Sequence, residues 1–340
     1  MTSPSIAVPV AAPARKRGRL LEKALRFQGY LGLVIVLVIG AVFSPTKDGV
    51  NLFLDLTNQM NVLRYVAETG IIAVGMTMVI LIGEIDLSVG SLLALVATLT
   101  AHLLARAGYS TAPTILLALL VGAAVGCTNG VIVAGLRIPS FVTTLAMMTF
   151  ARGLVRVVFG GLAIPLLPHS LGGTAADSAF FFAGKVSFIP VPALVMLVMA
   201  VITGLLLRFT PFGRHVYAVG GNAVASRLSG VRVELTRVAV FTACGVLTAL
   251  AALIHGIQLN QGAPNDGITY ELNAIAAVVI GGTALQGGIG SIAGSIAGAW
   301  MLGLIDNSLN LNNINSDVQL LVKGALIVAA VSLQRLQRRS

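Results

Sequence analysis

Charge is scarce in this sequence. Of its 340 residues only 10% are Asp, Glu, Lys or Arg, against roughly 25% in an ordinary soluble domain. With 56% hydrophobic residues, that shortage excludes a soluble globular protein. A mean hydropathy of +0.94 excludes intrinsic disorder, which needs low hydrophobicity and high net charge. The 38 glycines keep no three-residue period, which excludes collagen. Cysteine is scarcer still. Cys127 and Cys244 stand in separate apolar runs, so neither a disulfide framework nor a zinc site is expected and both read as packing residues. Gly-x-Ser-x-Gly, His-Glu-x-x-His and metal-spaced Cys and His sets are all missing, so no catalytic residue, metal site or cofactor is implied. The Gly-x-x-x-x-Gly-Lys-Ser/Thr phosphate loop is missing too, so the energy for any active transport enters through a partner or an ion gradient.

What the sequence has is apolar runs. A hydrocarbon core about 30 Å thick takes roughly 20 residues per helical crossing, and runs of about that scale recur along the whole chain. They cover about Tyr30–Phe43, Asn61–Ile82, Ser88–Ala105, Pro113–Leu136, Phe141–Phe159, Pro192–Phe209, Val238–Leu259, Leu272–Leu285, Ile289–Ile305 and Asp317–Leu333. The expectation is an all-α, polytopic membrane helical bundle of about ten transmembrane helices. Residues 1–27 form a basic tail, 28–335 the membrane domain, and 336–340 a second short tail. The first run ends at Ser44 and Pro45 without a small-x-small cleavage site, so it reads as a retained crossing.

The net charge of +10 comes from the chain ends and one loop, a distribution that points to lipid and topology and away from nucleic acid. Cytoplasmic loops retain an excess of Lys and Arg. With the N-terminus inside, 15 basic residues fall inside and only Lys47, Arg106 and Lys185 outside. Both termini are then cytoplasmic.

Three acids, Glu68, Glu84 and Asp86, sit near hydrocarbon, where each is costly. Glu84, Asp86 and Ser88 mark an inside turn between the second and third crossings. There Asp86 or Ser88 caps the next helix, where the dipole favours negative charge; the alternative is a proton relay. The segments opening at Gly90-Ser91 and Gly290-Ser291 form a weak repeat. Paired glycine-interrupted segments point to a substrate path, although the spacing of Gly290, Gly294 and Gly298 also suits close helix packing.

The inside loop 208–237 is the most informative stretch. Asn222 is a good N-cap, two helical turns fit after it, and Gly230 is a natural left-handed stop. Val224 and Leu228 share one face, and a helix this short needs something to dock on. That partner is either the chain's own membrane domain, a lipid surface or a groove on another protein.

This loop, together with the blocks Ala73–Thr77, Gly83–Ser91 and Tyr270–Thr283 running on to Gly290-Ser291, resembles the ribose and xylose type permeases of ATP-binding-cassette importers, in the branched-chain amino acid and sugar transport permease superfamily. The likeness spans about residues 30 to 335. It implies a permease subunit of the bacterial cytoplasmic (inner) membrane that carries a monosaccharide. The implied partners are a second permease copy, identical or related, a cytoplasmic ATPase pair and an extracytoplasmic sugar-binding protein. It makes 208–237 the coupling loop, with Gly213, Arg214, Gly220, Gly221, Asn222, Val224, Arg227, Leu228 and Gly230 as the residues that meet or shape the ATPase contact. Thr143, Thr144, Asn273, Asn307 and Asn310 put hydroxyl or amide groups in or beside spans, where they meet either sugar hydroxyls or neighbouring helices. The rival readings are an ion-coupled secondary transporter of a small polar solute and a multispan membrane enzyme.

Overall fold

A computed structural model describes residues 28–166 and 183–337. The tail expected over 1–27 and the last residues of the C-terminal tail lie outside them. The described residues form an all-α bundle. Ten helices overlap the ten apolar runs: α1 (Gln28–Val42), α2 (Leu56–Leu81), α3 (Val89–Ala105), α4 (Thr111–Gly135), α5 (Ser140–Phe159) and α6 (Val191–Phe209), then α9 (Val233–Gln258), α10 (Tyr270–Ile280), α11 (Ile292–Leu311) and α12 (Ser316–Gln337). Two more, α7 (Pro211–Gly221) and α8 (Ala223–Leu228), occupy the long loop. Three antiparallel two-residue pairings tie loops together, among them Ile164–Pro165 with Gln261–Gly262.

The count of about ten crossings needs correction. Among the described residues only α2, α4, α5, α6 and α9 are long and apolar enough to span a bilayer, while Tyr30–Val42, α3 and α10 are shorter apolar helices. The reason is local. Glu84–Ser88 has no regular secondary structure ahead of α3, and Gly281–Ser291 forms turns between α10 and α11, so residues that hydropathy assigns to the later spans are spent on an interruption. At 1.5 Å per residue the 11 residues of α10 rise about 16 Å, roughly half the hydrocarbon thickness.

Helices α2 and α9 are buried along most of their length, whereas α4, α5 and α6 leave most of theirs on the outside. Helix α9 packs most extensively on α4 and also on α2 and α3; α11 lies across α2 and α10. Small residues permit the closest of these contacts, as expected where no hydrophobic effect drives helices together. A Cβ at Gly126 of α4 would overlap the carbonyl oxygen of Phe241, and one at Gly245 of α9 would overlap that of Gly122. Gly294 and Gly298 serve the same purpose, backing onto the carbonyls of Gly281 and Ala277. Replacing Gly126 with Ala is expected to cost ~1–3 kcal/mol by overpacking, read as a lower unfolding midpoint in detergent. Gly204→Ala, which meets nothing within 4 Å, leaves that midpoint nearly unchanged.

Candidate functional site

The loop helices are built as their residues dictate. Thr210 caps α7 by accepting from the Gly213 N–H, with Pro211 in the first turn. Asn222 then breaks the helix in an extended conformation, and its side chain accepts from the Ala225 N–H at 2.9 Å to start α8. At the far end Gly230 sits at φ 85°. Its N–H donates to Arg227 O and that of Val231 to Ser226 O, both at 3.0 Å, which is the paired closure of a Schellman stop. Helix α8 therefore has a fixed beginning and a fixed end.

Its orientation decides what it is for. Ser226 is buried against the bundle, while Val224 and Leu228 are 68% and 85% exposed. The apolar face thus points away from the chain's own membrane domain. Arg227 forms an ion pair with Glu234 in the first turn of α9. Three residues along α9, Arg237 reaches Glu84 at 3.0 Å. These charges, with Arg137 and Val224, line a cleft of about 420 Å³ beneath α8.

Helix α7 carries the contact inward. A Cβ on Gly220 would overlap the carbonyl of Leu81 and lie 2.6 Å from the Gly288 nitrogen, and one on Gly213 would overlap the carbonyl of Leu207. Tyr217 donates to Gly290 O at 3.0 Å. Gly221 meets nothing within 4 Å. Arg214 is exposed and joins Arg208 and Tyr217 along a largely apolar cavity of about 940 Å³ between α6, α7 and α11.

At the first inside turn, Asp86 accepts from the Ser88 N–H (2.8 Å) and hydroxyl (2.6 Å), and Ser88 in turn accepts from Asn129 (2.9 Å). Burial pushes the Asp86 carboxyl above the usual carboxylate range, opposed by the two bonds from Ser88. Ser88 itself makes no side-chain cap bond to α3. The irregular backbone here is satisfied by α5: Ser140 accepts from the Ile85 N–H (3.1 Å) and Thr144 from the Leu87 N–H (3.0 Å). Irregular backbone packed among helices needs such partners.

The five residues singled out for a substrate path do not converge. Thr144 holds the turn, and Thr143 is buried with no hydrogen-bond partner for its hydroxyl. Asn307 exchanges amide bonds with Asn58 at 2.8 and 2.9 Å, and Asn310 accepts from Gln319 at 2.7 Å. Asn273 lines a small cavity beside Asp306 and Lys323, which are themselves paired at 2.8 Å. Sequence reasoning missed the densest buried polar cluster. Glu68 of α2 meets His255 Nδ1 of α9 at 2.7 Å and accepts from the Tyr270 hydroxyl at 2.9 Å, with Asp266 3.7 Å from the other imidazole nitrogen. The costly position of Glu68 signalled a partner; nothing in the sequence pointed to one 187 residues away. No group of three or more His, Cys, Asp or Glu suited to a metal occurs among the described residues.

Residues 58–331 match the family model described as branched-chain amino acid transport system / permease component. The chain belongs to that family of transport permeases. It is 41% identical to the ribose import permease protein of Bacillus subtilis (strain 168) over 92% of this chain and 96% of that one. It is 39% identical to the ribose import permease protein of Escherichia coli (strain K12), over 88% and 91%. The xylose transport system permease protein of that strain is 33% identical over 93% of this chain and 94% of its own length. No solved structure matches. As a family member this chain is a multi-pass membrane permease.

The two threonines of α5 separate by substitution. Thr144→Val leaves the Leu87 N–H unpaired and is expected to cost ~1–3 kcal/mol, lowering the thermal midpoint in detergent. Thr143→Val removes a hydroxyl that bonds nothing and leaves that midpoint unchanged or raised.

Proposed function

We propose that this permease forms the translocation path of a monosaccharide importer of the ribose or xylose type and is driven by a separate ATPase docked on α8. The single observation that carries this reading is the outward, unpartnered apolar face of Val224 and Leu228 on a helix capped at both ends. An isolated six-residue helix has no stability of its own in water, so a face built and then left bare is a face for a partner. Its relatives' names supply the substrate class.

The mechanism follows from the contacts. When nucleotide closes the ATPase pair, α8 moves with the surface that grips it. Arg227 and Glu234 pass that motion to α9; Arg237 and Glu84 pass it to the turn ahead of α3. Through Gly220, α7 presses on the end of α2 and on the turn ahead of α11. The spans then shift between outward-open and inward-open arrangements. Both termini and α8 on the cytoplasmic side of the bacterial inner membrane fit the excess of Lys and Arg on that side. The domain layout is the membrane unit 28–335 between two short tails, with 208–237 as its coupling loop. A second permease copy and an extracytoplasmic sugar-binding protein, which captures the sugar and delivers it to the permease, complete the assembly.

In liposomes holding this chain with its ATPase and binding protein, Leu228→Glu is expected to cut sugar uptake about tenfold or more, as for loss of a central apolar anchor, without lowering the amount of permease inserted. Unchanged uptake contradicts the docking role. The buried Glu68–His255 pair is what an ion-coupled carrier would use. Such a carrier accumulates solute on an imposed proton or sodium gradient with this chain alone, an outcome that replaces the importer reading.

A further inference from the structure

Helix α5 begins beside the inside turn, where Ser140 bonds Ile85 and Pro139 lines the cleft under α8. Twelve residues on, at 1.5 Å each, Arg152 stands about 18 Å further along the helix, toward the opposite end of the bundle. Its guanidinium donates to the carbonyls of Pro264 (2.6 Å) and Asp266 (2.7 Å), and Arg156 one turn later donates to the Asn265 side chain at 3.2 Å. The two arginines thus hold the 262–269 loop over the end of α5. Under it opens a cavity of about 440 Å³, lined by Met148, Thr149, Arg152, Arg156, Ile268 and Glu271. That lies within the roughly 300–1,000 Å³ of small-molecule sites.

Along this part of α5 the charged side chains turn to protein. Charged side chains within spans face the bundle interior or a water-filled cavity, and Arg152 and Arg156 reach inward to a loop instead of out to headgroups. The cavity is not an anion site, because Glu271 lies in the wall and the Asp266 carboxylate sits behind it, taking the Ala263 N–H at 2.7 Å. Glu271 is set in place by Gly90, where any Cβ would overlap its carboxylate. Guanidinium N–H donors, a carboxylate acceptor and the Thr149 hydroxyl, itself donating to Leu145 O at 3.1 Å, stand together in an otherwise largely apolar wall. Vicinal hydroxyls of a sugar, each both donor and acceptor, can use both kinds of group. Ile268 and Met148 offer apolar surface to the C–H face of a ring.

We propose that this cavity, at the end of the bundle opposite α8, is a binding site for a neutral polyol of monosaccharide size, the station at which solute enters the permease from outside. The assignment rests on the reading of the chain as a sugar permease.

The test uses the full assembly in liposomes. Uptake first identifies which of D-ribose and D-xylose the wild type carries; if it carries neither, the functional reading itself fails, and this site with it. Thr149→Cys is then made in a Cys127→Ala, Cys244→Ala background that retains uptake. The site predicts labelling by a charged, membrane-impermeant methanethiosulfonate from outside, slowed severalfold by the transported pentose and not by its phosphate ester. It also predicts that Glu271→Gln and Arg156→Gln each raise the half-saturating sugar concentration about tenfold, as for loss of a hydrogen bond to a charged group, while binding-protein-stimulated ATP hydrolysis persists. Labelling only by a lipid-soluble maleimide overturns the proposal, as does aqueous labelling that sugar leaves unchanged, and a wild-type half-saturation in both variants would do so too.

Discussion

Three segments far apart in the chain meet at one glycine. Gly220, near the end of α7, lies against the carbonyl of Leu81 and the amide of Gly288, and Gly288 N–H donates to Leu81 O at 2.9 Å. A side chain there would push the loop helices off the membrane bundle. Because there is none, α7 touches the ends of two interrupted helical pairs at once, the α2-to-α3 turn and the α10-to-α11 turn. Motion of α8 reaches the spans through this junction, through the Arg227–Glu234 pair at the start of α9 and through the neighbouring Arg237–Glu84 pair.

The interruptions themselves depend on the rule that backbone groups at membrane depth must find partners inside the protein. Ser140 and Thr144 answer for Ile85 and Leu87, and the Asp86–Ser88–Asn129 chain closes the same turn. The buried charges obey the matching rule for side chains: Glu68 has His255, Asp306 has Lys323, and Glu84 has Arg237. Such pairs are weak sources of stability but costly to break singly, so they fix which helices lie together.

Much of this was legible beforehand because it is local. Asn222 and Gly230 specify the ends of α8 by side-chain capping and positive φ, which need no tertiary partner. The apolar runs located ten helices, since burial in hydrocarbon selects composition over long windows. Hydropathy failed where Gly281–Ser291 breaks the run between α10 and α11, because glycine and alanine score as apolar whether they are coiled or turned. The residues offered for a substrate path are less legible for a related reason. Asn307, Asn310 and Thr144 carry the right chemistry, but whether an amide faces a sugar or a neighbouring helix is set by packing that no local pattern encodes. The Glu68–His255 pair and the arginines of α5 were hidden by the same distance in sequence.

The central claim is that motion of α8 reaches the spans through the contact of Gly220 with Leu81 and Gly288. Sugar delivered per ATP hydrolysed, measured on the assembled importer in liposomes carrying Gly220→Ala, tests it most directly. The account predicts that hydrolysis continues while delivery per ATP falls severalfold; an unchanged ratio would contradict it.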